Sequence, residues 1–498
     1  MAEYLQTLAT RLDDPSIPYQ KVVLAVLLGV SAFESFIGSR QKPYLDPVRF
    51  PNLPTALRPF LTSPTAHETY RKSQSYARHK LSFSSITGII GLAQTFILLT
   101  NLSIPILSKL NVNVPLLETS YSETGGKNWT LLKGLWDLSG EIPGAKGKGE
   151  LRQTAAFIAM MNLLSTVLAV PEGLYKNFVL EEKHGFNKMT YGTFVKDLFK
   201  GLLLSFALEI PLSVALVALI HWVGNSAILV LLTYILSFSF ALVIILVPLG
   251  PYVIMPLFNK FTLLEESSPV YPKVKALAER VGFPYDKIYV IDGSKRSSHS
   301  NAFVTGIPGL TKQIVIYDTL MEKATPDEVE AILAHELAHW KYSHIVYLLL
   351  TALTQIAFSL SIFTLFLSNK SLLSSFGFHS PLTSTLASKL VPSQSLQVGP
   401  TVISLFLAST LFSPLSAFLS FLTNSITRTL EYQADGFAVS LGKKMAENLK
   451  TALIGIHEEN LAVYAVDHIY SAYHHNHPTL VERLEALDKK MIEQDKKQ

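Results

Sequence analysis

The chain has 498 residues, 49% of them hydrophobic and only 16% charged, with a mean hydropathy of +0.31. Soluble domains carry about a quarter charged residues, so the deficit makes lipid part of the solvent. The net charge of +4 is too small for a nucleic-acid binder. The absence of cysteine excludes disulfides, thiolate metal sites and a cysteine nucleophile.

The first 21 residues contain Asp13 and Asp14 and lack the basic, apolar and small-residue order of a cleaved signal, so the first apolar stretch is expected to stay as an anchor. Length and scarcity of charge predict seven membrane helices, over 22–38, 83–108, 154–171, 197–223, 226–248, 345–367 and 401–423. The first and third are short, with Glu34 inside one and Glu172 just beyond the other. Ionisable groups at such depth either face a protein-lined or watery interior or mark helix ends.

The loop after the first helix is rich in Arg and Lys, from Arg40 to Lys80, whereas the loop between the sixth and seventh holds only Lys370 and Lys389. The positive-inside rule then puts the basic loop in the cytosol, the N-terminus in the lumen and the C-terminus in the cytosol. The three N-x-S/T sequons, at Asn101, Asn128 and Asn369, all fall on the luminal side of this arrangement. The division expected is a membrane region over 1–248, a cytosolic catalytic domain over 249–344, two further membrane helices with a luminal loop over 345–423, and a cytosolic C-terminal region over 424–498.

Within 249–344, the segments Lys287–Asp292, Asn301–Ile307 and Gln313–Asp318 are β-branched and aromatic and read as strands, the last two joined as a hairpin at Pro308-Gly309. Thr325-Pro326-Asp327-Glu328 is a capping box with proline at the first helical position. Ten residues into that helix stands His335-Glu336-Leu337-Ala338-His339. Residues four apart share a helix face, so both imidazoles can reach one zinc ion while Glu336 addresses its water as general base.

A catalytic zinc needs a third protein ligand and an open position. His344 is expected to point elsewhere, because five residues rotate it about 140° on a helix running straight into the sixth span. Glu431, in Glu431-Tyr432-Gln433-Ala434-Asp435, is the candidate, and Asp435 one turn on is placed to accept the second N–H of a ligand histidine. The other reading of this pair is a solvated acidic turn on an ordinary helix. Ligands 92 residues apart are then brought together by a helical hairpin through the bilayer, at or just inside its cytosolic face.

At these residues the chain resembles the type I CaaX prenyl protease family, integral membrane zinc metalloproteases of the endoplasmic reticulum. The resemblance runs through Phe33-Glu34-Ser35, Phe178 to Lys188, Pro256 to Phe261, Ser298 to Phe303, the HELAHW and EYQAD segments, and His477-Pro478 with Arg483. It implies a mainly α integral membrane protein whose seven helices enclose an intramembrane chamber, with a cytosolic HExxH domain containing a small β-sheet. It implies that Asn301 and Ala302 pair with the substrate backbone, that His477 contacts the substrate carbonyl or oxyanion, and that Arg483 supports that wall. Thr427 stands where the family pattern has serine.

The implied reaction removes the last three residues from prenylated (farnesylated) CaaX precursors delivered from membrane lipid, with a second upstream cut in some. One zinc per chain is expected, and residence in the endoplasmic reticulum or the inner nuclear membrane. Two other readings are a quality-control protease for membrane proteins and, from a different class, a transporter or channel with a structural metal.

Overall fold

The structure, a computed structural model, describes residues 2–61, 64–109, 114–123, 128–223, 228–306, 312–367, 369–378 and 399–496. Long apolar runs form α1 (Tyr19–Gln41), α2 (Ala66–Leu99), α3 (Glu150–Tyr175), α4 (Tyr191–Val223) and α5 (Ile228–Leu249). A mixed segment follows, with β1 (Phe261–Leu263), α6 (Tyr271–Val281), β2 (Tyr285–Ile291), β3 (Ala302–Gly306), β4 (Lys312–Tyr317) and α7 (Pro326–Lys341). The chain continues in α8 (His344–Thr364), α9 (Thr401–Leu411), α10 (Ser413–Ser440), α11 (Lys443–Glu459), α12 (His468–His474) and α13 (Leu480–Asp495).

Among the described residues six helices are long and apolar enough to cross a membrane, and the pair α9 and α10, bent by 63°, makes a seventh if it is one broken span. The protein is therefore mainly helical, with up to seven spans and one small sheet. The predicted seventh helix, 401–423, is thus a correction: it breaks after Leu411, where Ser413-Pro414 starts a new helix and the proline can supply no N–H to the preceding turn. The predicted second helix, 83–108, is also corrected. It begins in the polar segment at Ala66 and stops at Leu99, and Ser103–Lys109 forms a separate short helix.

The sheet has the order β1-β2-β4-β3, with β2 and β4 parallel and both outer strands antiparallel to their neighbours. The three predicted strands are present, β3 pairs with β4 as the hairpin required, and Pro308-Gly309 lies outside the described residues. Strand β1 is additional. On one side the sheet shares a core with α6, α7, α10 and α11, in which Val274, Ile314, Val329, Leu333, Leu337 and Leu449 are fully buried.

A second core closes the far end of the bundle. Tyr19, Leu132, Trp136, Phe366, Leu372, Phe376 and Leu407 pack together there, and Asn369 is buried with its amide donating to Leu12 O at 2.9 Å. Asn128 is exposed at this end, donating to Ser374 O at 3.3 Å. The basic first loop lies at the opposite end. Leu53, Leu57 and Tyr70 pack there on Tyr464, Leu480 and Leu484, and Arg40 pairs with Asp467 at 2.9 Å. Glu34 accepts from Tyr473 Oη at 2.5 Å, which makes its neighbourhood protein rather than lipid.

Candidate metal centre

Helix α7 starts where the sequence required. Thr325 Oγ1 accepts from Glu328 N at 3.3 Å while Glu328 Oε2 accepts from Thr325 N at 2.8 Å, completing the capping box. Ala331, Ala334 and Ala338 of α7 and Ala434 and Ala438 of α10 are buried in the shared core. Their small side chains let the two helices approach closely, so short acidic side chains on α10 can reach the histidines of α7.

His335 Nε2 lies 3.3 Å from His339 Nε2 and 3.3 Å from Glu431 Oε2, and His339 Nε2 lies 3.4 Å from Glu431 Oε1. These are the residues among those described whose donor atoms converge on one metal-sized volume. The two imidazoles face different oxygens of the Glu431 carboxylate, and one donor atom from each of the three residues lies within 4.8 Å of the others, close enough for one ion to be held among them. Glu431 is 3% exposed, and its Oε2 accepts no hydrogen bond among the described residues, so a buried carboxylate oxygen awaits a partner there. The donor set fits a metal ion.

Each histidine is turned by its other nitrogen. His335 Nδ1 is 2.9 Å from Asp435 Oδ1, and Arg483 grips that carboxylate with Nη2 at 2.6 Å and Nε at 2.9 Å. His339 Nδ1 is 2.9 Å from His344 Nδ1, whose Nε2 in turn meets Gln433 Oε1 at 3.1 Å. The expected straight run from α7 into the sixth span is therefore corrected. The chain breaks at Ser343, which has φ 56°, and the break swings His344 back onto His339. His344 and Gln433 are the site residues that helical angles missed, since no sequence signal marks Ser343 for the left-handed region.

Burial raises the Glu336 carboxyl to about 7, and Glu431 adds to the rise against the pull of His335. Burial together with His335 pushes His339 down to about 4, keeping it the neutral imidazole that metal ligation needs. Burial and Arg483 work against charge on His335, yet Asp435 and Glu431 draw it up to about 9. The carboxylates thus demand a positive charge between them, which a proton or a metal ion supplies.

The remaining candidates sit around this centre. His477 Nε2 is 3.4 Å from Glu431 Oε1, and Arg428 fixes its loop by donating to His477 O at 3.3 Å while holding Glu482 with two bonds of 2.9 Å. Arg483 is committed to Asp435, behind His335, rather than to an open wall. Asn301 and Ala302 open β3, the edge strand beside α7, and Asn301 O accepts from Tyr317 N at 3.0 Å.

Two imidazoles and an adjacent glutamate on the short helix α7, meeting a buried carboxylate on α10, the second half of the bent span, are the arrangement of a membrane-bound metallopeptidase. Peptidase family M48 matches residues 266–491, and the CAAX prenyl protease N-terminal domain with five membrane helices matches residues 49–260. CAAX prenyl protease 1 of Saccharomyces cerevisiae is 36% identical over 97% of this chain and 98% of its own length. The homologues of Oryza sativa and Homo sapiens are 34% and 32% identical over 95% of the chain, covering 98% and 96% of their own lengths. The crystal structure of S. mikatae Ste24p superposes with a TM-score of 0.78 at 34% identity, covering 95% of this chain and 100% of that one. The chain belongs to the CAAX prenyl protease 1 family. It is a metalloprotease acting as a CAAX protease, and the reading as a transporter with a structural metal gives way.

Proposed function

We propose that this protein is a zinc endopeptidase that removes the last three residues of prenylated CaaX precursors. The observation that carries the metal assignment is the convergence of one donor atom each from His335, His339 and the buried Glu431 within 4.8 Å of one another, a two-histidine, one-carboxylate set that would hold a catalytic zinc. Bound zinc supplies Lewis acidity toward the scissile carbonyl and a water that ionises near neutral pH.

Glu336 takes the proton from the attacking water and hands it to the leaving amine. His477 donates to the oxyanion, and the backbone of Asn301 and Ala302 adds the substrate as a further strand on the open edge of β3. Asp435, held by Arg483, keeps His335 in the tautomer that presents Nε2. Comparing matched CaaX peptides with and without the farnesyl group tests the substrate class. Clear preference for the lipidated peptide supports it, and equal cleavage favours the quality-control reading.

The substrates and the site share the cytosolic face of the endoplasmic reticulum membrane in this proposal. Its support is that the basic first loop packs on the segment bearing His477, while Asn128 and Asn369 lie together at the other end. A reporter sequon near Pro54 is expected to stay unmodified and one near Gly140 to be glycosylated; the reverse pattern would put the site in the lumen. Native Asn128 is exposed, but Thr130 of its sequon is buried and donates to Phe376 O at 3.0 Å, so modification there must precede folding.

A further inference from the structure

A cavity of about 520 Å³ lies on the approach to β3 and takes no part in the chemistry above. Tyr76 and Lys80 line it from α2, Lys176 and Glu181 from the π-helical turn Lys176–Glu181 after α3, and Arg296 and His299 from the loop entering β3. A single π turn turns side chains out of the α-helical register and is frequent at functional sites.

Most of the polar groups in this wall are spent on one another. Arg296 holds Asp197 with two bonds of 2.8 and 3.0 Å. Glu181 accepts from Tyr76 Oη at 2.9 Å and lies 3.8 Å from His299 Nε2. His299 stacks on Phe186 at 4.1 Å, with Nδ1 3.0 Å from Asn460 Oδ1. Lys80 and Lys176 are different: both are exposed at the cavity, and among the described residues neither is in an ion pair. Lys80 Nζ is 4.7 Å from the Tyr76 ring centroid, beside the Glu181 and His299 group.

The direction of β3 connects this cavity to the metal centre. An added strand pairs more stably when antiparallel, so a substrate laid on Asn301 and Ala302 runs its C-terminal end back toward His299 and the cavity. Three residues past the scissile bond reach at most about 10 Å, and one-to-one register brings the third opposite the His299 region. The terminal residue of a CaaX sequence carries a free carboxylate there.

We infer that the cavity is the C-terminal anchor of the protease, in which Lys80 and Lys176 bind the substrate's α-carboxylate and so set the cut three residues upstream. The inference rests on the CaaX reading above and adds how the chain end is recognised. Charge-assisted hydrogen bonds of this kind are worth about 10- to 100-fold in rate or affinity.

The test uses the full-length purified protein and a farnesylated CaaX peptide made as the free acid and as the C-terminal amide. Wild type is expected to cleave the acid about 10- to 100-fold faster in kcat/KM. The Lys80→Gln, Lys176→Gln double variant should cleave the acid at the slow rate of the amide, with the amide's own rate unchanged. Equal cleavage of acid and amide by wild type overturns the anchor and leaves the CaaX reading intact. Equal loss of both substrates in the double variant overturns the lysines' role in recognition. Failure of wild type to cut either peptide three residues from its end removes the CaaX reading and the anchor together.

Discussion

Replacing Glu336 with Gln should lower hydrolysis by about 10²- to 10⁴-fold while the protein keeps one zinc per chain, measured by activity and elemental analysis on the same preparation. The carboxyl is adjacent to His335 in sequence but is not among the atoms that converge on the metal volume. Burial raises it to about 7, near the value a group needs to accept a proton from water and release it to an amine at neutral pH. A nearby divalent cation lowers that value, so the residue is ready to act as a base when the metal is bound. Glutamine has the same shape and no basicity. Retained zinc with lost turnover supports the role, and loss of zinc with the activity would make Glu336 a structural or ligating residue instead.

The second large effect is expected at α10, where two acids one turn apart have different duties. Glu431→Ala should abolish stoichiometric zinc, because it removes one of three donors and leaves two imidazoles facing an empty edge. Asp435→Asn should keep zinc with affinity or rate reduced about 10- to 100-fold, since the amide can still meet His335 Nδ1 but no longer carries charge for Arg483. Titration of the two variants with zinc separates them. Wild-type binding in Glu431→Ala would send the search for a third ligand to His344 and His477, the histidines nearest the cluster.

Much of this was legible in the chain. Apolar length alone located the spans, because a bilayer imposes its thickness on any helix that crosses it. The HExxH spacing placed two imidazoles on one face, and the capping box fixed where that helix begins. What stayed hidden depended on backbone breaks and long-range packing. The predicted seventh span carries no charged residue from Thr401 to Thr423, so apolar length could not register the 63° bend. Ser343 carries no mark of its positive φ, and the angle assigned to His344 on a continuous helix was therefore wrong. Strand β1 is three residues long, too short for an alternating pattern. The meeting of Glu431 with His335 and His339 depends on alanines on two helices, a fact no local window contains.

The central claim is metal-dependent removal of a C-terminal tripeptide. The most direct measurement is the mass of the products formed when purified protein meets a farnesylated CaaX peptide, before and after chelation and after zinc is restored. The account predicts a farnesyl-cysteine product and an intact -aaX tripeptide, lost with chelator and regained with zinc. Cleavage unaffected by chelator, or at another bond, would contradict it.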